Sequence, residues 1–250
     1  MAFDAAATAA RMTAGAAIVG SGFPRDLADI APLSLPVAIV MRAGLTTRDV
    51  ARTLAGATGR STADLKCRRL RGCLVAHRGS GMIFLDEDDP RLVRFALAHE
   101  LAHFAGHYLA RRELAIGRLG PAIVEVLDGV REPTPEERLG GILTGSRLGA
   151  FADVMEREDG VPLTAAAEIM EFEADDAAFL ALAPVGAVIA RTIERDGEVT
   201  KTAVTTCLID VFGLAKGDAD RHAPRVVNAA GRSRPSLIQQ FREIASRIER

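Results

Sequence analysis

Hydrophobic and polar positions along the chain predict a few short strands among longer helical segments. The first apolar run, Val37–Met41, predicts a buried strand, and the spacing over Thr46–Leu54 predicts a helix after it. Two further apolar runs, Cys73–Ala76 and Met82–Leu85, flank the turn-forming residues Gly79–Gly81. Such a pair of runs around glycines is typical of a β-hairpin.

Two long helices are predicted after this hairpin. The first covers Pro90–Arg111, where apolar residues recur at helical spacing and Pro90 suits a first turn. The second covers Thr164–Leu182 and is ended by Pro184. Residues 185–250 predict three or four short helices separated by Gly and Pro. The pattern as a whole predicts an α+β fold that is mostly helical, with a small sheet before the first long helix.

These elements suggest three segments. Residues 1–60 form an N-terminal helical and strand segment, residues 61–185 a core with the hairpin and both long helices, and residues 186–250 a C-terminal helical segment packed on that core. The chain has 250 residues, of which 48% are hydrophobic and 26% are charged. This size and composition suit one large folded domain or two small ones.

Charge and cysteine content narrow the function classes. The formal net charge is −2, so overall electrostatics give no case for nucleic-acid binding. Three cysteines do not make a disulfide framework, which favours a reducing cytoplasm. The first residues carry an acid and no base before Arg11, unlike an export signal. Uncharged runs such as Ala177–Ala190 are shorter than the ~20 residues of a membrane span, so no span is expected.

The first long helix contains the motif His99-Glu100-Leu101-Ala102-His103. Residues four apart in a helix lie about 40° apart on one face, so His99 and His103 can bind the same ion. Two imidazoles in this arrangement suit a tetrahedral Zn²⁺. The neighbouring Glu100 can then act as the general base on a metal-bound water. The motif therefore predicts a catalytic zinc site.

A catalytic zinc needs a third protein ligand and one open position. In a longer form of the motif, a third histidine follows a glycine, but here Leu109 stands at the histidine position after Gly106. A glutamate from a downstream helix is the other source, and it predicts Glu171 as the ligand. Asp175, four residues later, can accept an imidazole N–H. Glu173 is a less favoured ligand, and a solvated acidic helix face is the alternative for the whole segment.

Two segments resemble the ImmA/IrrE family of metallo-endopeptidases. Arg94–His107 is similar to the family's R-F-x-x-A-H-E-L-G-H stretch, which often has a histidine at the position of His107. Glu171–Pro184 is similar to its second block, E-x-E-A-N/D-x-F-A-x-x-L-L-x-P. The strand Ile83–Asp86 also fits, and the resemblance covers about residues 70–185. It implies a zincin-like metallopeptidase domain.

The resemblance implies roles for four residues and a class of substrate. By the family's motif, His99, His103 and Glu171 are the zinc ligands and Glu100 is the catalytic base. The family's usual task is cleavage of a helix-turn-helix repressor, which relieves repression of transcription. A protein or peptide substrate, and a regulatory protein in particular, is therefore the expected partner.

The chain departs from the family's pattern in three respects. Ala102 replaces the usual Gly and Ala177 the usual Phe, although neither position is a ligand. The N-terminal residues show no helix-turn-helix of the repressor type that some relatives carry. Outside the ligands, His107 and Tyr108 are candidates for contacts with a substrate or a transition state, and a packing role is the alternative for each.

Two other functions compete with proteolysis. One is a zinc-bound regulator that cleaves nothing and binds a protein partner or DNA. It is motivated by a basic cluster around Arg68, Arg69 and Arg71 and by seven Arg against two Glu in residues 221–250. The other is a structural metal site closed by a fourth protein ligand, for which His107 is the nearby candidate.

Overall fold

The computed structural model describes residues 3–20, 22–58, 67–144, 151–156 and 164–233. The chain divides into two compact units, Met1–Leu182 and Ala183–Arg250. The described part of the first unit contains a small mixed sheet and both long helices, and that of the second contains helices. The α+β, mostly helical class is therefore confirmed. The predicted segment 1–60 forms part of the first unit, and the predicted segment 186–250 lies within the second.

Four strands form one sheet in the first unit. They are β1 (Val37–Met41), β2 (Leu70–His77), β3 (Ser80–Leu85) and β4 (Phe151–Glu156), in the order β1-β3-β2-β4. β1 runs parallel to β3, whereas β2 pairs antiparallel with both β3 and β4. β1 has the predicted bounds and the predicted hairpin is present. β4, at the edge of the sheet, was not predicted.

The hairpin turn lies one residue earlier than predicted. It consists of Arg78 and Gly79, both with positive φ (50° and 80°), and His77 pairs with Ser80 across it. Two consecutive residues with positive φ match the right-handed twist of the flanking strands, so a two-residue turn closes the hairpin. Gly81, which was assigned to the turn, is instead part of β3 and pairs with Val37.

Among the residues that the structure describes, four helices precede or separate the first strands. They are α1 (Ala5–Met12), α2 (Ala16–Val19), α3 (Leu27–Ile30), which continues into one 3₁₀ turn, and α4 (Thr47–Thr58). The side chain of Asp4 accepts a hydrogen bond from the Ala7 amide at the start of α1. This cap satisfies an amide that has no partner within the helix. α1 packs against α9 (Ala165–Leu182) and against the long helix that carries the histidines.

The first long helix extends over three consecutive segments. α5 (Pro90–Ala102) begins after Asp89, whose carboxylate accepts from the Arg91 amide. A π-helical segment, His103–Leu109, follows, and α6 (Ala110–Leu119) completes it. The predicted end at Arg111 is wrong by eight residues. The helix ends where Gly120 takes a positive φ of 83°, a conformation that glycine adopts at low cost.

The second long helix packs along the first. After α7 (Ile123–Leu127) and α8 (Pro135–Thr144), α9 spans Ala165–Leu182, and Thr164 caps it by accepting from the Ala167 amide. The Phe95 and Phe179 rings meet with centroids 5.0 Å apart. Four alanines of α9 are fully buried: Ala174, Ala177, Ala178 and Ala181. Small side chains on a buried face allow close approach of a neighbouring helix, and this places the acidic turn of α9 beside the histidines of α5.

The second unit is built from three helices in its described part, namely α10 (Val185–Asp196), α11 (Lys201–Asp210) and α12 (Lys216–Ser233). Their buried side chains include Val188, Leu208 and Val226, and Phe212 is buried in the turn after α11. This agrees with the predicted series of short helices, although residues 234–250 lie outside the described residues. Across the described ranges, no single helix has both the length and the apolar composition needed to cross a membrane.

Candidate metal centre

Three buried histidines follow one another along the first long helix. His99, His103 and His107 lie four residues apart and are at most 3% exposed. The Nε2 atoms of His99 and His103 face each other at 3.0 Å. The π-helical segment begins at His103. Such segments occur frequently at functional sites.

α9 supplies a carboxylate to the same point. Glu171 places Oε2 3.1 Å from His99 Nε2 and Oε1 3.6 Å from His103 Nε2. One donor atom from each of the three residues lies within 4.8 Å of the others, so together they could hold a metal ion. Ligands about 2.0–2.1 Å from a tetrahedral ion stand about 3.3 Å apart. The observed distances fit such an ion, and the three predicted ligands are brought together.

Asp175 orients the first imidazole. Its Oδ1 lies 2.9 Å from His99 Nδ1. An imidazole that binds a metal through Nε2 carries its proton on Nδ1, and a carboxylate acceptor there holds both tautomer and ring. Burial lowers the pKa of His99, but the bonds to Asp175 and Glu171 outweigh it and raise the pKa to about 10. The predicted role of Asp175 is therefore consistent with its position.

Metal binding at neutral pH should release a proton from His99. In the metal-free protein its pKa of about 10 keeps the imidazole charged at neutral pH, whereas a metal needs it neutral. The apparent affinity for the metal should therefore rise by up to about tenfold for each unit by which the pH increases towards that pKa. Calorimetry in two buffers of different ionisation enthalpy measures the release, and Asp175→Asn should reduce it. Affinity that is independent of pH between about 6 and 8 would contradict this expectation.

His107 lies on the far side of His103 from the metal-binding atoms. Its Nδ1 is 3.0 Å from His103 Nδ1, and its Nε2 is 3.0 Å from Glu173 Oε2. Burial lowers the pKa of His107 to about 3, so the ring is neutral. Its Nε2–H then donates to Glu173 while its Nδ1 accepts from His103 Nδ1–H. When His103 carries its single proton on Nδ1, its Nε2 lone pair is left for a metal.

The two candidates outside the ligands, His107 and Tyr108, are both engaged by neighbouring groups. The geometry gives His107 an orienting role instead of a contact with substrate, and its ring also stacks on Phe3 at 4.6 Å. Glu173, the less favoured ligand, is engaged by His107. The Tyr108 hydroxyl accepts from the Gly79 amide at 2.8 Å, at the hairpin turn. The structure gives no support to a transition-state contact by Tyr108.

Glu100 is a buried carboxylate beside the histidines. It is 1% exposed, and neither oxygen makes a hydrogen bond of ordinary geometry. Burial raises its pKa well above the usual range, although the charge of His99 opposes this. Leaving a buried polar group without a partner costs free energy, and such a group calls for an explanation. A cation with bound water at the adjacent donors would supply one.

Asp153 is the site residue that the sequence did not reveal. It lies on β4, paired with Leu74 of β2, and its Oδ2 is 2.8 Å from His103 Nε2. Burial raises its pKa, but the bond with His103 outweighs this and lowers it. No motif marks this aspartate, because the pairing of β4 with β2 alone brings it to the histidines.

Compared with protein-family models, with curated proteins and with solved structures, the chain matches none of them. The resemblance to the ImmA/IrrE family therefore stays a prediction. The argument about function rests on the arrangement of His99, His103, Glu171 and Glu100 itself.

Proposed function

We propose that this chain is a zinc-dependent endopeptidase with a zincin-like core. One observation carries the proposal: two imidazoles and the Glu171 carboxylate converge within 4.8 Å, next to the buried carboxylate of Glu100. Two histidines and one glutamate are a ligand set of catalytic zinc sites, which keep the fourth position for water or substrate. A zinc ion held there would lower the pKa of a bound water to about 7 and polarise a carbonyl.

Each protein group has a defined task in this reaction. The Glu100 carboxylate takes a proton from the attacking water and returns it to the leaving amine nitrogen. Burial raises its pKa in the metal-free protein, and the positive charge of a bound ion would lower it towards the ionised form that a base needs. Asp175 and His107 hold the imidazoles of His99 and His103 with their Nε2 lone pairs directed at the ion.

The substrate class comes from the resemblance. We infer a protein substrate, in particular a helix-turn-helix repressor or another regulatory partner. A cytoplasmic location belongs to the same proposal, and it is supported by three cysteines that are all free thiols. Cysteines in this state are usual in a reducing compartment.

Cleavage can be tested without knowing the substrate. We expect the zinc-loaded chain, incubated with peptides from a digested cellular proteome, to generate new N-termini that mass spectrometry detects. Glu100→Gln should generate none, and Glu168→Gln, which changes an exposed acid of α9, should behave like wild type. Measurable and equal cleavage by wild type and Glu100→Gln would refute the proposed mechanism.

A non-proteolytic zinc regulator is the second candidate. It is favoured by Asp153, a further carboxylate whose Oδ2 lies 2.8 Å from His103 Nε2. Its DNA-binding form has less support, because two arginines of the basic cluster form ion pairs with acids. Arg69 contacts Asp86 and Arg71 contacts Glu87, each at 3.3 Å. The activity of Glu100→Gln in cells separates the two candidates, since a pure regulator would keep it.

Gly72 should be essential for the position of Glu100. A Cβ at Gly72 would lie 2.8 Å from Glu100 Oε1, so Gly72→Ala should displace the carboxylate. We expect normal zinc content and a loss of cleavage of about 10²-fold, the effect of misplacing a reacting group by about 1 Å. Gly117→Ala, where a Cβ meets open space, is the matched control. Unchanged kcat in Gly72→Ala would argue against Glu100 as the base.

A further inference from the structure

Besides the three converging donors of His99, His103 and Glu171, a further carboxylate lies against one of the two imidazoles. Beside His99, His103 and Glu171, the Asp153 carboxylate approaches His103 Nε2 to 2.8 Å. Glu171 approaches the same nitrogen to 3.6 Å from a different element, α9. Two carboxylates from separate parts of the fold therefore meet one imidazole nitrogen.

A bound metal would change what Asp153 can do there. Once His103 Nε2 binds an ion, it has no proton to donate and its hydrogen bond to Asp153 is lost. The other ring nitrogen of His103 is already engaged by His107 at 3.0 Å, so Asp153 cannot serve as its orienting acceptor either. With the ion present, the Asp153 carboxylate, whose side chain is 23% exposed, can either turn to solvent or bind the ion, and its 2.8 Å distance from the ligand atom favours the ion.

We propose that Asp153 is a fourth protein ligand that closes the metal site in its resting state. This inference rests on the proposed function, because it concerns the same metal. Two imidazoles and two carboxylates complete a tetrahedron. The position that water needs opens when the Asp153 carboxylate leaves the ion. The cleavage expected of wild type then comes from the fraction of molecules in which Asp153 has left the ion. The chain is partly latent, and loss of the Asp153 side chain raises its activity.

Two features separate this arrangement from a purely structural metal site. A structural site has no use for Glu100, whose buried oxygens lack ordinary hydrogen bonds beside the ligands. Asp153 is also able to leave the ion. In the described sheet its strand β4 has one neighbour, β2, and its side chain is 23% exposed, against 37% for Glu171 and 0% for His103.

The experiment uses the full chain loaded with Co²⁺, whose visible absorption reports the ligands, and azide as a probe for an open position. In wild type, azide should leave the spectrum unchanged. In Asp153→Ala the cobalt bands should change and azide should bind. Loss of an outer-shell partner typically lowers metal affinity by about 10–100-fold, so loss of a ligand should lower it by at least that factor. Asp153→Asn, similar in size, should show the same change more weakly.

Controls and outcomes keep the two proposals separate. Glu168→Gln should match wild type in every measurement, and circular dichroism verifies the fold of each variant. Identical spectra and equal azide binding in wild type and Asp153→Ala overturn the role of Asp153 and leave the peptidase proposal intact. A changed spectrum with azide binding, but no cleavage of the peptide mixture by either protein, supports the ligand and refutes the peptidase. Absence of metal binding in wild type overturns both.

Increased cleavage of the peptide mixture by Asp153→Ala is the result that supports latency itself. Reduced cleavage, with metal retained, would instead make Asp153 a supporting group in catalysis and overturn the closed resting state.

Discussion

Purified wild type should retain about one zinc per chain after dialysis, and His99→Ala should retain none. His99 Nε2 lies 3.0 Å from His103 Nε2 and 3.1 Å from Glu171 Oε2. Alanine therefore removes the donor that stands between the other two. Glu171→Ala should lose zinc as well, because it removes the carboxylate contributed by α9. Elemental analysis measures the stoichiometry.

The loss of zinc binding in His99→Ala should also remove the thermal stabilisation that zinc gives to wild type. A ligand at 1,000 times its dissociation constant stabilises the folded state by about 4 kcal/mol, or about 8–16 °C in Tm for a chain of this size. Wild type should show this rise with zinc and His99→Ala should not. Glu168→Gln should respond like wild type. Stoichiometric zinc in His99→Ala, or none in reconstituted wild type, would exclude the predicted ligand set.

Glu100→Gln should abolish cleavage while leaving zinc bound. Glutamine has nearly the shape of glutamate but cannot take a proton. Because a general base contributes about 10²–10⁴-fold to a rate, the rate of cleavage should fall by that factor. Zinc content should be unchanged because Glu100 is not among the three converging donors. The measurement is kcat on a peptide identified from the proteome mixture. A decrease in zinc content would instead indicate a ligand.

The metal-free Glu100→Gln variant should also be more stable than metal-free wild type at neutral pH. Burial raises the folded-state pKa of Glu100 above its usual 4.5, so the folded protein keeps a proton that the unfolded chain releases. Wild type therefore loses stability as the pH rises above about 4.5, up to the folded-state pKa. In thermal melts with a chelator, the higher stability of Glu100→Gln should be absent near pH 4 and reach a plateau at higher pH. Equal dependence of Tm on pH in the two proteins would contradict a raised pKa of the buried Glu100.

Much of the fold was predictable because it depends on local patterns. The apolar run of β1, the start of the first long helix at Pro90 and the start of α9 near Thr164 follow from residue order and spacing. The convergence of His99 and His103 follows from the helical repeat alone. Sequence spacing also predicted that Glu171 and Asp175 share a face, and the structure shows both at His99.

Features that depend on distant pairing were decided by the tertiary structure. Asp153 reaches His103 because β4 joins β2 from about 80 residues further along the chain, and nothing local predicts that contact. The isolation of Glu100 depends on Gly72 of β2 facing it. The orienting role of His107 depends on Glu173 from α9. A helix repeat determines which residues share a face, but packing of separate elements determines what that face meets.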